Sequence, residues 1–545
     1  MKLASVSAFL NVVLVAASSD GVMAIDGGKK GSSSSTNGGK KGGKSSAYEV
    51  WASDQSNSVA DAGALGIKGS FLWIWDSDDI EEQLDGGYDA EPIGCKPGTK
   101  GPCDLLDLFP QDLEESTSGM QLKDLTGFGR LHGVIADPQQ RYVAANIFAP
   151  NGGYLGVIDT HTKEAVALFR VTELSGSRSV HMSLWNFDGS AILVANLNGR
   201  AIERINVFRD KHGTIKQVVF DKSATLGLGQ GQAVTAEAAY FSGLNAHGNP
   251  LLGQVAGSYD NADLSDLTPL GVCKENGCGG TNPNDGAMGG RPANLPICPI
   301  PSEDTDALYI TLAGGGLFVA DSSQTPMKIV GEYGNNVVYG AGCGGVQAGG
   351  KMHLNSGVSA SGAGADQSMF TVWQYNDADY LGSTPNAENE PLPAVVFEDE
   401  GNTAALGNIG GQPPNPSGQL PGVTTRRDSH GAAPTVDGEY VHVVDRIQNV
   451  VEAFDVETFE RFTYDLTSKN GQTGLYGKPG ACEAKSVMDD ANLPSNDPAP
   501  DLMEETPDGK YLMIALRGPA PVSVAHSAQG SCPGVGIVEL RGKGR

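Results

Sequence analysis

Hydrophobic and polar residues alternate in short runs along most of the chain, and the stretch from His132 to Arg170 shows this pattern most clearly. Its apolar runs are the residues after His132, Tyr142 to Phe148, Tyr154 to Ile158 and Ala165 to Val171. Turn residues separate the runs, beginning with Asp137-Pro138. Runs of this length and spacing predict four β-strands in about forty residues, which is the size of one blade of a β-propeller.

The same register recurs elsewhere in the chain. A polar residue stands seven positions before an Asp-Gly turn at three places: His181 before Asp188-Gly189, His430 before Asp437-Gly438, and Asp501 before Asp508-Gly509. A tyrosine also lies ten positions after His132, His430 and Asp501, at Tyr142, Tyr440 and Tyr511. Because the polar residue, the turn and the strand recur together, they indicate repeated blades.

Less regular blades are predicted over 48–80, 291–333 and 343–398. The total is seven, with six or eight as alternatives, and the run from Tyr48 to Ala52 is a candidate for the strand that closes the ring. The 75 glycines and the scarcity of helical periodicity favour an all-β class. We therefore predict a single β-propeller over residues 47–545, with insertions at 236–290 and 401–424 of the kind in which function resides.

The first residues of the chain predict export. Lys2, the apolar stretch from Ala8 to Ala17 and the small residues before Ala24 are typical of a secretory signal that is removed after Ala24. The alternative, a membrane anchor, is disfavoured because the apolar run is shorter than the ~20 residues that span a bilayer. We expect a secreted or cell-surface protein without a membrane span.

Residues 25–46 form a segment rich in Lys, Ser and Gly that has almost nothing apolar to bury, so we expect a disordered arm. The net charge of the whole chain is −27. Residues 1–24 carry no net charge and residues 25–46 carry +4, so residues 47–545 carry −31. An acidic body argues against nucleic acid and favours cations. The basic arm is either a solvated linker or an anchor to a cell-wall polymer or mineral.

Eight cysteines accompany the predicted signal, and an even number in an exported chain indicates disulfides. Cys95 with Cys103, and Cys273 with Cys278, are spaced to close small rings. The remaining four, Cys298, Cys343, Cys482 and Cys532, are candidates for longer staples. A zinc site of Cys273, Cys278 and Cys298 is the weaker alternative, because tight C-x-x-C pairs are missing.

The candidate site lies where the blades converge. His132, His181, His430 and Asp501 each open the innermost strand of a blade, and such strands line the axial channel of a propeller. Three imidazoles and a carboxylate are a ligand set for Zn²⁺, Cu²⁺ or Co²⁺. Cys343 is a further ligand if it is not oxidised, as are His353 and His526. The alternative is structural, because a polar residue repeated by duplication also serves to hydrogen-bond the neighbouring blade.

Other motifs indicate less. Arg446 and Arg517 either hold an anionic ligand at the channel mouth or form salt bridges between blades. GAGCGG at 340–345 matches G-x-G-x-x-G, but no helix-forming stretch follows it. The acidic residues Asp76, Asp78 and Asp79 are a candidate Ca²⁺ site or, more simply, a solvated turn. Neither H-E-x-x-H nor G-x-S-x-G is found, so no catalytic residue is assigned.

The elements PDGKYLMIA and GYLGVIDTHTKEAVALF resemble the YVTN-type repeats of secreted propellers in the quinoprotein-like and WD40-like superfamily. WASDQSNSV and CPGVGIVEL resemble a group of bacterial and algal secreted propellers. The resemblance covers residues 47–541 and implies the fold, but it says little of function because one propeller fold serves binding proteins and enzymes alike.

Three functions stay open at this point. The first is a secreted propeller that binds a small ligand, such as a divalent transition metal, in its channel. The second is a metal-dependent or quinoprotein-like oxidoreductase, which requires an open coordination position. The third is a wall-associated scaffold held by the arm, in which the histidines are structural.

Overall fold

The fold is seen in a computed structural model that describes residues 10–16, 48–54, 71–259, 294–356, 368–381, 392–401, 429–466, 498–517 and 534–541, apart from isolated positions within these ranges. Seven sheets of three or more strands follow one another along the chain. In blades one, two, three, five and six, the first strand contacts the first strand of the following blade. The first strand of blade seven contacts that of blade one, which closes the ring. The chain is a seven-bladed β-propeller, which confirms the all-β class and the blade number.

Each blade is an antiparallel meander, and its first strand is the innermost. The strands from the axis outwards are Leu10–Ala16, Tyr48–Asp54, Phe71–Asp76 and Cys103–Asp104 in blade one; Leu131–Ala136, Tyr142–Ile147, Tyr154–Asp159 and Glu164–Arg170 in blade two; Val180–Trp185, Ala191–Asn196, Ala201–Arg209 and Ile215–Gly227 in blade three; Pro296–Pro301, Ala307–Leu312, Leu317–Asp321 and Lys328–Tyr333 in blade four; Gly345–Ala348, Lys351–Ser356, Ser368–Tyr375 and Ala394–Gly401 in blade five; Ser429–Pro434, Tyr440–Asp445, Val450–Asp455 and Arg461–Asp465 in blade six; and Pro500–Glu505, Tyr511–Leu516 and Gly534–Glu539 in blade seven.

Short elements lengthen the blades. Blade two continues outwards through Ala239–Ser242 and Glu114–Glu115, and blade three gains Gly253–Ala256 as a parallel edge strand. Part of the predicted insertion at 236–290 therefore covers sheet edges. The remaining elements are the pair Glu173–Leu174 and Val234–Ala236, the α-helices Ser77–Leu84 and Leu105–Leu108, and the 3-10 turns Leu122–Asp124 and Asp377–Asp379. None of the helices described is long and apolar enough to cross a membrane.

The core lies between neighbouring blades. Second strands such as Tyr142–Ile147 and Ala307–Leu312 are buried at every position, because both faces of a blade are covered by adjacent sheets. Between blades two and three, Val157 and Phe169 pack in one cluster with Ile205 and other apolar residues of blade three. The apolar residues of the alternating runs are thus buried between neighbouring sheets, and this burial favours the propeller arrangement.

Blade one differs from the sequence-based expectation. Its innermost strand is Leu10–Ala16, which pairs antiparallel with Tyr48–Asp54 and contacts Pro500–Glu505 of blade seven. The prediction that Tyr48 to Ala52 closes the ring is therefore wrong, because Tyr48–Asp54 is a second strand that also pairs with Phe71–Asp76. Signal removal after Ala24 stays a prediction, and it would take this inner strand away. The predicted arm at 25–46 lies outside the described residues.

The acidic segment after Phe71–Asp76 is the start of an α-helix rather than a turn, although Asp78 and Asp79 are exposed to solvent as expected. Asp76 is the N-cap of helix Ser77–Leu84 and accepts a hydrogen bond from the backbone N–H of Asp78 at 2.9 Å. Asp78 and Asp79 occupy the first turn, where negative charge is favourable to the helix dipole.

Two of the candidate disulfides are present. Cys95 is bonded to Cys103 and Cys298 to Cys343, which confirms disulfides as the role of these four residues. The other four cysteines, Cys273, Cys278, Cys482 and Cys532, lie outside the described residues.

Candidate functional site

A β-bulge recurs at the start of the inner strands. The pairing between first and second strands shifts in blade two between Leu131 and Gly133, and it shifts at the matching place in blades three, four, six and seven. The residue at the shift is His132, His181, Ile297, His430 or Asp501. A bulge takes a residue out of the ladder and re-aims its side chain. The register that singled out the four candidate residues therefore has a structural cause.

The bulges lie on one face of the propeller, which we call the upper face: the face at which the inner strands begin. In an antiparallel meander, second strands end on this face and the chain crosses to the next blade here. The connections 257–295, 402–428, 466–499 and 517–533 all leave and return at the upper face. Except in blade one, turns from first to second strands, such as 137–141 and 506–510, lie on the opposite face and are short. The described residues that flank these connections thus share a face with the candidate residues.

His132 and His181 come together from adjacent blades. Their ring centroids are 4.6 Å apart, and Phe148 lies beside both rings at 5.7 and 6.1 Å. His181 is buried, and its Nδ1 lies 2.9 Å from the carbonyl oxygen of Ile297. Since a carbonyl only accepts, Nδ1 carries a proton, and in the neutral ring Nε2 is the nitrogen that can bind a metal. Such a hydrogen bond orients histidines that bind metals.

His430 and Asp501 form a second pair, from blades six and seven. Nδ1 of His430 lies 2.5 Å from Oδ1 of Asp501. Arg517 donates from Nη1 to Oδ2 of Asp501 at 2.9 Å, and Nη1 of Arg446 is 3.8 Å from Oδ1. Both arginines are almost fully buried. Arg446 therefore pairs with Asp501 between blades six and seven, as the salt-bridge interpretation expected, whereas the salt bridge of Arg517 lies within blade seven.

The electrostatics of this cluster follow from its burial. Burial alone would raise the pKa of Asp501, but His430 and the guanidinium groups of Arg517 and Arg446 outweigh it and hold the pKa well below its usual range. Burial lowers the pKa of His430, and the charge of Arg446 lowers it further. The carboxylate is therefore ionised and the imidazole neutral at neutral pH.

The four candidate residues form two pairs rather than one cluster. Blade one separates the pairs on one side of the ring, and blades four and five separate them on the other. Within the described part of the chain, one group of three ligating side chains lies within 4.8 Å, and it consists of His181, Cys298 and Cys343. A single ion bound by all four predicted residues stays a prediction.

Of the other candidate ligands, Cys343 lies beside His181, and His353 lies elsewhere. His353 is buried on the second strand of blade five, where Nε2 is 3.0 Å from Nε2 of Gln374, and burial lowers its pKa to about 4. Cys343 is oxidised, and His526 lies outside the described residues. The glycines of GAGCGG lead into strand Gly345–Ala348, so the expectation that no helix follows is confirmed.

Close backbone contact places His430 beside Asp501. A Cβ on Gly431 would overlap the carbonyl oxygen of Asp501 and lie 2.8 Å from Cα of Leu502. Only glycine therefore permits the inner strands of blades six and seven to approach in this way.

We expect Gly431→Ala to lower the free energy of unfolding by about 1–3 kcal/mol, because a methyl group must be forced between two backbones. Chemical denaturation measures the loss. Gly534→Ala is the matched control, since no atom lies within 4 Å of its added Cβ and its φ is ordinary. Equal stability of the two variants would contradict the close-contact argument.

Sequence reasoning missed how the partners of these residues recur. The side chain 16 positions after Asp501 is Arg517, its salt-bridge partner. The same offset leads from His430 to Arg446 and from His132 to Phe148. This spacing is the signal that could have found them, because the second strand of a blade returns to the upper face beside the start of the first.

Comparisons with known proteins find similar structures but assign no family. No family model matches the chain, and no curated protein matches it. Among solved structures it is similar to the Swd1 β-propeller domain of Myceliophteria thermophila, with 8% identity, a TM-score of 0.41 and coverage of 86% of this chain and 89% of that one. It is also similar to the periplasmic gluconolactonase of Pseudomonas aeruginosa, with 11% identity, a TM-score of 0.36 and coverage of 86% and 95%. A Lactobacillus plantarum protein is similar at 9% identity and a TM-score of 0.35, with coverage of 86% and 95%. Identities this low say nothing about ligands, and the fold assignment rests on the seven sheets themselves.

Proposed function

We propose that this chain is an exported ligand-binding propeller that holds a divalent transition metal, Zn²⁺, Cu²⁺ or Co²⁺, at its upper face. The observation that carries the proposal is the pair of imidazoles, His132 and His181, whose centroids lie 4.6 Å apart on adjacent bulges. Two imidazoles at this separation need small ring movements to share one ion at nitrogen distances of about 2.0–2.1 Å. The carbonyl of Ile297 already orients one of them.

The second pair has a different role in this proposal. The carboxylate of Asp501 is engaged by His430, Arg446 and Arg517, so it acts through charge and position across the mouth of the channel. We assign the metal to His132 and His181.

Elemental mass spectrometry on protein purified without chelating resin tests the metal. We expect about one equivalent of metal in the native protein and at least a tenfold weaker affinity in the His132→Ala/His181→Ala variant, because both nitrogen ligands are lost. His161→Ala/His212→Ala is the matched control, since these two histidines lie in exposed turns. The N-terminal peptide of the same preparation shows whether the chain begins after Ala24.

Two results would overturn the assignment of the metal, and a third would contradict removal of the signal. Native protein without stoichiometric metal would favour the scaffold interpretation, in which the histidines are structural. Equal metal in the two double variants would move the ion away from His132 and His181. A peptide containing residues 10–16 in exported protein would contradict cleavage after Ala24.

A further inference from the structure

A disulfide lies directly beside the histidine pair. Cys298 lies on the inner strand of blade four and is almost fully buried. Cys343, to which it is bonded, lies two residues before the inner strand of blade five, Gly345–Ala348. A ring nitrogen of His181 and the two sulfur atoms all lie within 4.8 Å of one another. The three side chains come from three successive blades and meet at the upper face.

This disulfide differs from the other one that the structure describes. Cys95–Cys103 closes a small loop, and no group of three ligating side chains is found around it in the described residues. Cys298–Cys343, in contrast, joins two blades beside an imidazole. His181 donates from Nδ1 to the carbonyl of Ile297, the residue that precedes Cys298, so the strand that carries the sulfur also orients the ring.

Oxidation state decides what the two sulfurs can do. A thiolate binds metal ions, whereas a disulfide sulfur is a poor ligand. A dithiol reductant transfers two electrons to the bond, giving two cysteine thiols and its own cyclic disulfide. Binding of a divalent ion then releases the two thiol protons as both sulfurs become thiolates. Two thiolates and an imidazole are a ligand set that selects Zn²⁺ or Cu⁺.

We propose that Cys298, Cys343 and His181 form a soft-metal site that opens when a dithiol reduces the disulfide and closes when the bond forms again. His132, with its ring 4.6 Å from that of His181, supplies the fourth ligand. The oxidation state of Cys298 and Cys343 thus decides whether His181 binds a metal together with His132 alone or together with the two thiolates as well. The inference rests on the proposed function in sharing His181, but it needs neither His430 nor Asp501. For His181, Cys298 and Cys343, whose ligand atoms lie within 4.8 Å of one another, small movements suffice, because ligands of one tetrahedral Zn²⁺ lie about 3–4 Å apart at bond lengths of ~2.0–2.3 Å.

Cobalt titration tests the site, because thiolate ligands give Co²⁺ a charge-transfer band in the near ultraviolet that imidazoles do not give. The full-length protein is reduced anaerobically with a dithiol, freed of reductant and titrated with Co²⁺, beside the oxidised protein. The key variant is Cys298→Ser/Cys343→Ser. The matched control is Cys95→Ser/Cys103→Ser, which removes the other described disulfide. His181→Gln keeps a donor for the Ile297 carbonyl and removes the ring nitrogen that binds metal.

We expect about one equivalent of Co²⁺ with the thiolate band in the reduced protein and in the reduced control. The band is absent from the oxidised protein and from Cys298→Ser/Cys343→Ser, and affinity is at least tenfold weaker in His181→Gln. A reduced protein without the band would overturn the inference, as would a band that survives loss of Cys298 and Cys343. Loss of near-ultraviolet circular dichroism on reduction would also overturn it, because the bond would then be a structural staple.

These outcomes separate the two proposals. Co²⁺ bound by the oxidised protein and lost in His132→Ala/His181→Ala, together with no thiolate band after reduction, supports the imidazole site alone. A thiolate band in the reduced protein, with no metal in the oxidised one, supports the redox-controlled site alone.

Discussion

Replacing Asp501 with asparagine is expected to lower the free energy of unfolding by about 3–5 kcal/mol, the range for removing one partner of a buried ion pair. The side chain is buried, and it is the carboxylate that His430, Arg446 and Arg517 all contact. Asparagine keeps the shape and removes the charge, so two buried guanidinium groups lose the anion that they share. Denaturant unfolding at neutral pH measures the difference.

The control for this variant lies in the same blade. Glu539→Gln removes a carboxylate that pairs with Arg541 at the surface, where both side chains are exposed. We expect a change of at most about 1 kcal/mol there, because water screens such pairs. If Asp501→Asn costs no more than Glu539→Gln, then the buried cluster does not depend on its carboxylate, and its role in joining blades six and seven is wrong.

The blade register could be read from the sequence, but the neighbours of each blade's polar residue could not. The distance from His430 to its Asp-Gly turn is local, because one hairpin contains both. The contact of His132 with His181, and of His430 with Asp501, depends instead on which blades are adjacent and on how closely their inner strands approach. Gly431 decides the second of these, and a glycine in an apolar strand carries no signal of what it touches.

Two local elements also escaped prediction, each for a physical reason. The helix Ser77–Leu84 has one turn of apolar contact, so its N-cap, Asp76, is the main sequence signal, and an acidic run hides it. The strand Leu10–Ala16 has the composition of an export signal, and hydrophobic segments of that length serve equally well as buried strands. Composition alone cannot distinguish them.

The basic N-terminal segment and the histidine pair meet the propeller at opposite faces. Tyr48 begins a second strand, so the basic segment before it joins the propeller at the face opposite to His132 and His181. Attachment through residues 25–46 and ligand binding at the upper face are compatible functions, and deletion of the arm should leave metal binding unchanged.

The second large effect concerns Glu203, which is fully buried on the third strand of blade three. It accepts hydrogen bonds from the backbone N–H of Thr172 at 3.2 Å and from Nδ2 of Asn196 at 3.5 Å. Burial raises its pKa to about 7, and these hydrogen bonds and the charge of Arg178 oppose the rise only in part. The folded state therefore holds the Glu203 proton more tightly than the unfolded state, whose pKa is close to 4.5.

The sign of the pH dependence follows. The contribution of a carboxyl with a raised pKa is greatest below the unfolded pKa and is lost as the pH rises towards the folded value. From about pH 4.5 to about pH 8, ionisation of Glu203 costs about 3 kcal/mol, because each pH unit between the unfolded and the folded pKa contributes about 1.4 kcal/mol. Glu203→Gln removes this loss, so the stability of the variant relative to the native protein should rise by about 3 kcal/mol over that range.

The difference between the two proteins is the quantity to measure, because other groups titrate in the same range. Burial raises the pKa of Glu505 to about 7 and lowers that of His353 to about 4, and these two residues change stability in opposite directions with pH. Subtracting the native profile, obtained by denaturant unfolding at each pH, isolates Glu203. Glu82→Gln, at an exposed helix position, controls for the loss of one negative charge. Parallel profiles for the native protein and Glu203→Gln would contradict the argument that burial raises the pKa of Glu203 above its value in the unfolded state.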